Sequence, residues 1–183
     1  MSGPHELQAP SPWVVRWAGL IPAGGAVLDV AAGHGRHARH LAAQGYRVTA
    51  VDRDPAVLAG LAEVAGVRTV LVDLEGAPWP LEPGAFDGVV VANYLHRPLF
   101  DALAASLAPG GVLVYETFMQ GNERYGRPSN PDFLLRPYEL ADAWRGRLAV
   151  VAFEQGRVDR PKPAVVQRVC AVRAGAAADV TIG

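Results

Sequence analysis

Residues 28–40 read LDVAAGHGRHARH: an aliphatic run carrying one acid, then two glycines, then a helix-forming stretch with three histidines. Strand, glycine turn and helix in that order form the general layout that binds nucleotide-like ligands at the carboxyl ends of parallel strands. Gly33-x-Gly35-x-x-Ala38 fits the relaxed dinucleotide fingerprint, and Asp52 ends the next aliphatic run, where a ribose diol sits in such folds. Several cofactor classes share this fingerprint, so Asp29 is the better discriminator. It falls in the last turn of the first strand, pointing toward the loop that would hold a pyrophosphate. A carboxylate about 4–5 Å from a phosphate costs on the order of 3–4 kcal/mol at an effective dielectric near 20, and the term changes sign for an ammonium. The electrostatics favour a ligand with a cationic amino end and no phosphate over a dinucleotide.

The alternation continues outward. AVLDV (26–30), RVTAV (47–51), VRTVLV (67–72), FDGVVVA (86–92) and GVLVYETF (111–118) are short Val-rich runs bounded by Gly, Pro or Asp, as in buried strands of a mostly parallel sheet. Helices are predicted between them at 36–44, at 55–64 behind an Asp54-Pro55 cap, and at 97–107. A short helix at 137–146 follows, and RLAVVAFEQG and AVVQRVCAVR then suggest an antiparallel pair that finishes the sheet. The fold class is α/β: a single-domain, Rossmann-like doubly wound sheet, mostly parallel with an antiparallel last strand. Residues 1–25 read as an N-terminal helical extension, its helix over 5–21 interrupted by Pro10 and Pro12. Residues 26–174 form the domain, and 175–183 a frayed tail. Residues 119–136, MQGNERYGRPSNPDFLLR, are polar, rich in Gly and Pro and too long for an ordinary connection, which suits a lid-like insertion.

Composition narrows the class. The chain has 183 residues, a net charge of −1 and a single lysine, Lys162, among 17 basic residues. No global field favours nucleic acid or an anionic membrane. Cys170 is the only cysteine, which excludes an internal disulfide and a cysteine-based zinc site; its apolar surroundings suit a buried structural thiol. MSGPHELQAPSPW at the start has no apolar signal core, and no run approaches the ~20 residues of a spanning helix. A cytoplasmic protein without membrane attachment, monomeric or homodimeric, is expected.

S-adenosylmethionine meets the demand set by Asp29: its aminoacyl end is a zwitterion, its sulfonium is cationic, and it has no phosphate. The ordered motifs VLDVAAGHG, VTAVDRD, DLEG, FDGVVVANYLHR and LAPGGVLVYETF resemble, over roughly residues 13–173, a class I S-adenosylmethionine-dependent methyltransferase. Within that family the chain is similar to the small bacterial tellurite- and thiopurine-type enzymes, which act on small, soft or heteroatom acceptors. The resemblance implies that Asp29, Ala31 and Gly33 line the methionine portion, Ala31 standing where the family usually has glycine. Gly35 allows close backbone approach, Asp52 takes the ribose hydroxyls and Arg53 lies along the adenine. Asp73 and Leu74 meet the adenine edge and face, and Asn93 and Tyr94 form the floor between cofactor and acceptor. For Asp73 a plain turn cap is the alternative.

His34, His37 and His40 are spaced by three, which spreads them around a helix, whereas helical zinc sites use i, i+4 spacing; no metal is expected. His34 belongs to the loop, and His37 and His40 read as partly exposed helix residues. Arg36 or Arg16 would grip a ligand carboxylate, or else lie on the surface.

Methyl transfer from a sulfonium is an in-line displacement whose leaving group the cofactor supplies. The protein's task is alignment, worth roughly 7–11 kcal/mol, with a base needed only for a protonated acceptor. Candidates lie at the carboxyl ends of the fourth and fifth strands. His96 is a candidate base or a structural cap. Glu116, in an otherwise apolar strand, is a candidate catalytic group or half of a buried ion pair with Arg97 or Arg127. Arg97 and Thr117 would face the acceptor. In the 119–136 segment Tyr125 and Phe133 would cover it, and Arg127 with Arg124 and Arg136 would suit an acidic or electron-rich one, or tie the loop to Asp132, Glu116 or Glu123.

The leading reading is methyl transfer to a small molecule. The exit motif NYLH lacks the paired prolines that shape a pocket for a flipped base, so nucleic acid is disfavoured, while RNA or protein as substrate stays open. A cofactor-binding sensor without turnover is the alternative of another class. An NAD-dependent reductase would want a Tyr-x-x-x-Lys pair, which a single lysine does not provide.

Overall fold

Four parallel ladders join β1 (Ala26–Val30) to β2 (Arg47–Asp52) and β4 (Phe86–Ala92), β2 to β3 (Val67–Leu71), and β4 to β5 (Leu107–Phe118). β6 (Leu148–Val158) and β7 (Ala164–Arg173) then pair antiparallel, and β7 inserts between β5 and β6. The sheet order is β3-β2-β1-β4-β5-β7-β6. β7, the last strand among the described residues, is the one that opposes the parallel set, as its sequence context predicts. The computed structural model describes residues 9–174. The residues predicted as the start of the leading helix, 5–8, and as a frayed tail, 175–183, lie outside them.

Helices cover both faces, so the central strands are Val-rich without alternation. On one side Leu28, Val30, Val89 and Val91 pack under α4 (Phe100–Ser106) and α5 (Glu139–Trp144), with Leu103 and Trp144 reaching the core. On the other, Val27, Val48, Ala50 and Val90 pack under α1 (Pro12–Trp17), α2 (Arg36–Ala43) and α3 (Pro55–Ala62). Cys170 is buried here, and desolvation pushes its thiol up to about 12, as expected of an inert structural cysteine. Among the described residues no helix is long and apolar enough to cross a membrane.

The departures from the sequence reading have local causes. Pro12 begins α1 instead of interrupting it: it occupies the first turn, where no amide is needed, and Ser11 Oγ caps the Trp13 amide at 3.1 Å. The helix expected over 97–107 opens as a 3₁₀ turn, Arg97–Leu99, before α4. β5 starts at Leu107, ahead of the glycines, because Leu107 pairs with Phe86 before the register slips to Gly88 opposite Val112. A side chain at Gly111 would meet the Phe86 carbonyl at 3.0 Å, which explains a glycine at that slip.

The strand order reverses between β1 and β4, and loops diverging there open a crevice at the carboxyl ends. The glycine turn after β1 and the 93–96 turn after β4 form its walls.

Candidate active site

The glycine turn is built from left-handed backbone. Ala31, Gly33 and Gly35 have φ of 52°, 54° and 73°. A Cβ on Gly33 would meet nothing within 4 Å, so its face is open to a ligand; a Cβ on Gly35 would lie 2.2 Å from Leu61 of α3. Gly35 thus serves close packing of α2 against α3. Ala31 adopts the same left-handed conformation with a side chain, at a cost of roughly 1–2 kcal/mol. Asp52 orders the turn by accepting the Gly33 amide at 2.8 Å and the Asp54 amide at 3.0 Å.

Asp29 is 1% exposed and lies on the α2 side of the sheet, beneath the turn. Its Oδ2 has no hydrogen-bond partner among the described residues. Burial pushes its carboxyl up to about 7, against the Ala38 amide and the Arg36 charge, which lower it. A buried carboxylate with one oxygen left without a donor is a strong receptor for a cation or an N–H group.

Beside the turn a cavity of about 220 Å³ is lined by Ala31, Asp52, Arg53, Val72, Asp73, Leu74, Glu75 and Tyr94. Six of these eight were legible as ligand-facing positions. Val72 and Glu75 were missed, although Glu75 lies two residues beyond Asp73 at the same strand exit. Asp73 accepts the Glu75 amide at 3.0 Å, so its turn-capping role is real, yet it also faces the cavity. Burial and the neighbouring Glu75 and Asp73 carboxylates drive the Tyr94 phenol well above its usual range. The Tyr94 carbonyl accepts from the buried Tyr115 hydroxyl at 2.9 Å. Asn93, at φ 57°, is exposed and bonds its amide to the Glu116 carbonyl at 2.9 Å. Asn tolerates that left-handed backbone better than most side chains.

The acceptor-side candidates do not converge. His96 is half-buried and precedes the 3₁₀ turn without capping it through its side chain. Thr117 and Glu116 are both buried but point to opposite faces of β5. Glu116 pairs with Arg168 of β7, not with Arg97 or Arg127, and its other oxygen accepts from Ser11 Oγ at 2.8 Å. Arg97 is fully engaged elsewhere. It forks onto Glu139 at 2.6 and 3.1 Å and donates to the Asp132 and Leu134 carbonyls at 2.7 and 3.0 Å. Burial alone would raise Glu139, but the Arg97 guanidinium and the Arg136 amide hold it below the usual carboxylate range.

That clamp fixes one end of the 119–136 segment. The other is fixed by Met119 bridging to Leu135 and by the buried Asn122, which accepts from the Val165 amide at 3.1 Å and donates to the Pro128 carbonyl at 3.0 Å. Tyr125, Arg127 and Phe133 project from its crest as exposed side chains. Arg157 lies over the Tyr125 ring at 5.5 Å.

The histidines also separate. His34 is exposed and His40 half-buried, but His37 is 4% exposed, against expectation, because its Nε2 accepts the Ser11 amide at 3.1 Å. Among the described residues no three His, Cys, Asp or Glu side chains form a metal-holding group. Arg36 reaches the Ala9 carbonyl at 3.4 Å, while Arg16 pairs with Glu154 on the far strand, away from the turn.

Comparison with known proteins shows the same fold elsewhere. A methyltransferase-domain family model matches residues 27–111. In fold the chain is similar to an S-adenosylmethionine-dependent methyltransferase of Methanosarcina mazei, at 15% identity over 91% of this chain and 99% of that one, with a TM-score of 0.69. It is also similar in fold to TehB of Haemophilus influenzae, at 18% identity over 86% of this chain and 60% of that one, TM-score 0.71. A third similar structure is the 1,6-didemethyltoxoflavin-N1-methyltransferase of Burkholderia thailandensis, with bound 1,6-didemethyltoxoflavin and S-adenosylhomocysteine. It shares 25% identity over 89% of this chain and 76% of that one, TM-score 0.65. No curated protein matches this chain.

Proposed function

We propose that the chain is an S-adenosylmethionine-dependent methyltransferase that methylates a small molecule held over the carboxyl ends of β4 and β5. The observation that carries the reading is the acid-lined cavity beside an open glycine turn, with Asp29 buried beneath it and its Oδ2 without a donor among the described residues. These residues fit the cofactor. Asp52 keeps free lone pairs beyond its two amide bonds and receives the ribose hydroxyls. Asp73 and Leu74 receive the adenine edge and face, with Arg53 along it. Asp29 receives the ammonium end through the turn that Gly33 leaves open.

S-adenosylmethionine supplies a sulfonium methyl whose carbon–sulfur bond breaks as the acceptor–carbon bond forms, the electron pair leaving on sulfur. The chain's contribution is alignment. Tyr94 and Asn93 form the floor on the acceptor side, Tyr94 fixed at its carbonyl by Tyr115, with the Glu75 carboxylate near its ring hydroxyl. His96 takes the proton of an acceptor that arrives protonated, its ring being half-buried at the exit of β4. Glu116 supports the site from the opposite face and does not touch the reacting atoms. A small acceptor is supported by the B. thailandensis neighbour, which holds 1,6-didemethyltoxoflavin in a similar fold.

Calorimetry with S-adenosylmethionine, S-adenosylhomocysteine and NAD tests the cofactor side. The first two are expected to bind and NAD not, with Asp52→Ala weakening both by about 1.5–3 kcal/mol. NAD binding without a response to the sulfonium ligand would refute the proposal. On the acceptor side, a panel of small thiols, selenols, amines and carboxylates is read by product formation.

A further inference from the structure

Charge is sorted along the crevice. The cofactor end carries Asp52, Asp73 and Glu75 against the single Arg53. At the other end two segments meet: the crest of the 119–136 segment and the turn between β6 and β7 with the strand ends that flank it. They are joined by the Asn122 bond to the Val165 amide, the Met119 amide bond to the Val165 carbonyl at 3.0 Å, and Arg157 over the Tyr125 ring. Together they expose Arg124, Arg127, Arg157, Arg160 and Lys162. Among the described residues only Arg157 of these five has a carboxylate partner, Asp159 at 2.6 Å. The same two segments also expose Glu123, Asp132 and Asp159, yet four of the five cations have no carboxylate partner among the described residues.

We propose that the methyl acceptor is a small anion, and that the cationic crest and the β6–β7 turn draw it into the crevice by its charged group. This rests on the methyltransferase reading above. Surface cations flanking a cleft raise the local concentration of a counter-ion and orient it as it enters. An acceptor with a carboxylate, sulfonate or phosphate at one end is thus held by the crest, and its uncharged end points toward the cationic methyl donor. The arrangement also disfavours a cationic acceptor, which would be repelled at the crest and attracted to the cofactor's own site. Arginine forks suit planar oxyanions, and Tyr125 and Phe133 on the same crest offer flat apolar surface beside them.

Amide chemical shifts test this without knowing the acceptor. The full chain, with and without S-adenosylhomocysteine, is titrated with benzoate, benzamide, benzylammonium and a short RNA. Benzoate is expected to shift amides in 121–127 and 157–165, and its affinity to fall several-fold between about 50 and about 300 mM salt. The uncharged and cationic probes should leave those amides unmoved. The triple variant R124Q/R160Q/K162Q should weaken benzoate at least about threefold and leave S-adenosylhomocysteine affinity unchanged, in keeping with counter-ion attraction at these loops. Benzamide binding there as tightly as benzoate, or benzoate leaving both loops unmoved, would overturn the proposal. RNA saturating the loops far below the benzoate range would overturn it in favour of a nucleic-acid face. Failure of S-adenosylhomocysteine to bind strikes the cofactor reading instead, and is seen separately in the same series.

Discussion

Glu116 and Arg168 stand opposite each other in the β5–β7 ladder and join side chains there, while Ser11 Oγ donates to the second Glu116 oxygen at 2.8 Å. Arg168 continues the row to Glu154 on β6 at 3.4 Å, and the Ser11 amide runs to His37 of α2. The lone acid of an apolar strand thus anchors the start of α1 across three strands.

Removing one partner of such a buried pair leaves the other charge without compensation, a loss of about 3–5 kcal/mol. Glu116→Ala is expected to fall in that range in urea melts, and Glu116→Ala/Arg168→Ala to be less destabilised than the two single losses summed. A Glu116→Gln variant of unchanged stability with abolished methyl transfer would instead make Glu116 catalytic.

Arg97 is a positioning residue in the same sense. Its fork onto Glu139 and its two carbonyl bonds tie residues 132–136 and α5 to the exit of β4. Lysine keeps the charge but offers a point donor without the planar fork. Arg97→Lys should lose about 1.5–3 kcal/mol and speed hydrogen exchange across 132–140, leaving the β1–β2 amides protected. Exchange identical to the wild type would return Arg97 to the role of an acceptor ligand.

At Gly35 two penalties coincide. Alanine must hold φ at 73°, costing roughly 1–2 kcal/mol, and must displace the fully buried Leu61 side chain, adding about 1–3 kcal/mol. Gly35→Ala is therefore expected to cost more in the wild type than in a Leu61→Ala background, where only the backbone penalty survives. Equal costs in the two backgrounds, measured by thermal unfolding, would remove the packing explanation.

The strands and the cofactor side were legible because their signals are local. Val-rich runs stop at Gly, Pro and Asp, and a cavity-lining acid stands at the end of β2 and another two residues beyond β3. The runs at 26–30 and 86–92 coincide with β1 and β4 to the residue. The partners of Glu116, Arg97 and His37 were not legible. Each lies 26 or more residues away in the chain, and two depend on elements beyond β5: the insertion of β7 beside it, and the position of α5. Glycines and prolines in 119–136 suggested a hinged cover, but the Asn122 bonds and the Arg97 clamp that fasten its base come from residues with no periodic signature. Asp29 was recognised by its place in the motif; its burial on the α2 side follows only from the packing of α2 under the turn.

Asp29 and His37 set opposing pH dependences, and single variants should separate them. Asp29 has its carboxyl raised from 3.8 to about 7, so between those values the folded chain holds a proton that the unfolded chain has lost. Its contribution to stability is full below 3.8 and falls as pH rises to about 7. His37 is driven the other way, from 6.5 to about 3, by burial and by the neighbouring Arg36 and His40, so the unfolded chain holds the extra proton. Its contribution is full above 6.5 and falls as pH drops toward 3. Between about pH 4 and 6.5 the two slopes, each at most about 1.4 kcal/mol per pH unit, offset each other in the wild type. Measured against the wild type, Asp29→Asn stability should therefore climb with pH across this window. His37→Gln, which keeps an acceptor for the Ser11 amide, should decline over the same window. Cofactor binding follows the same logic: an ammonium placed at Asp29 favours the carboxylate, so binding releases a proton below about pH 7 and affinity rises with pH. Asp29→Asn should flatten that rise, and a calorimetric enthalpy independent of the buffer's ionisation heat at pH 6 would show that Asp29 does not receive the cation.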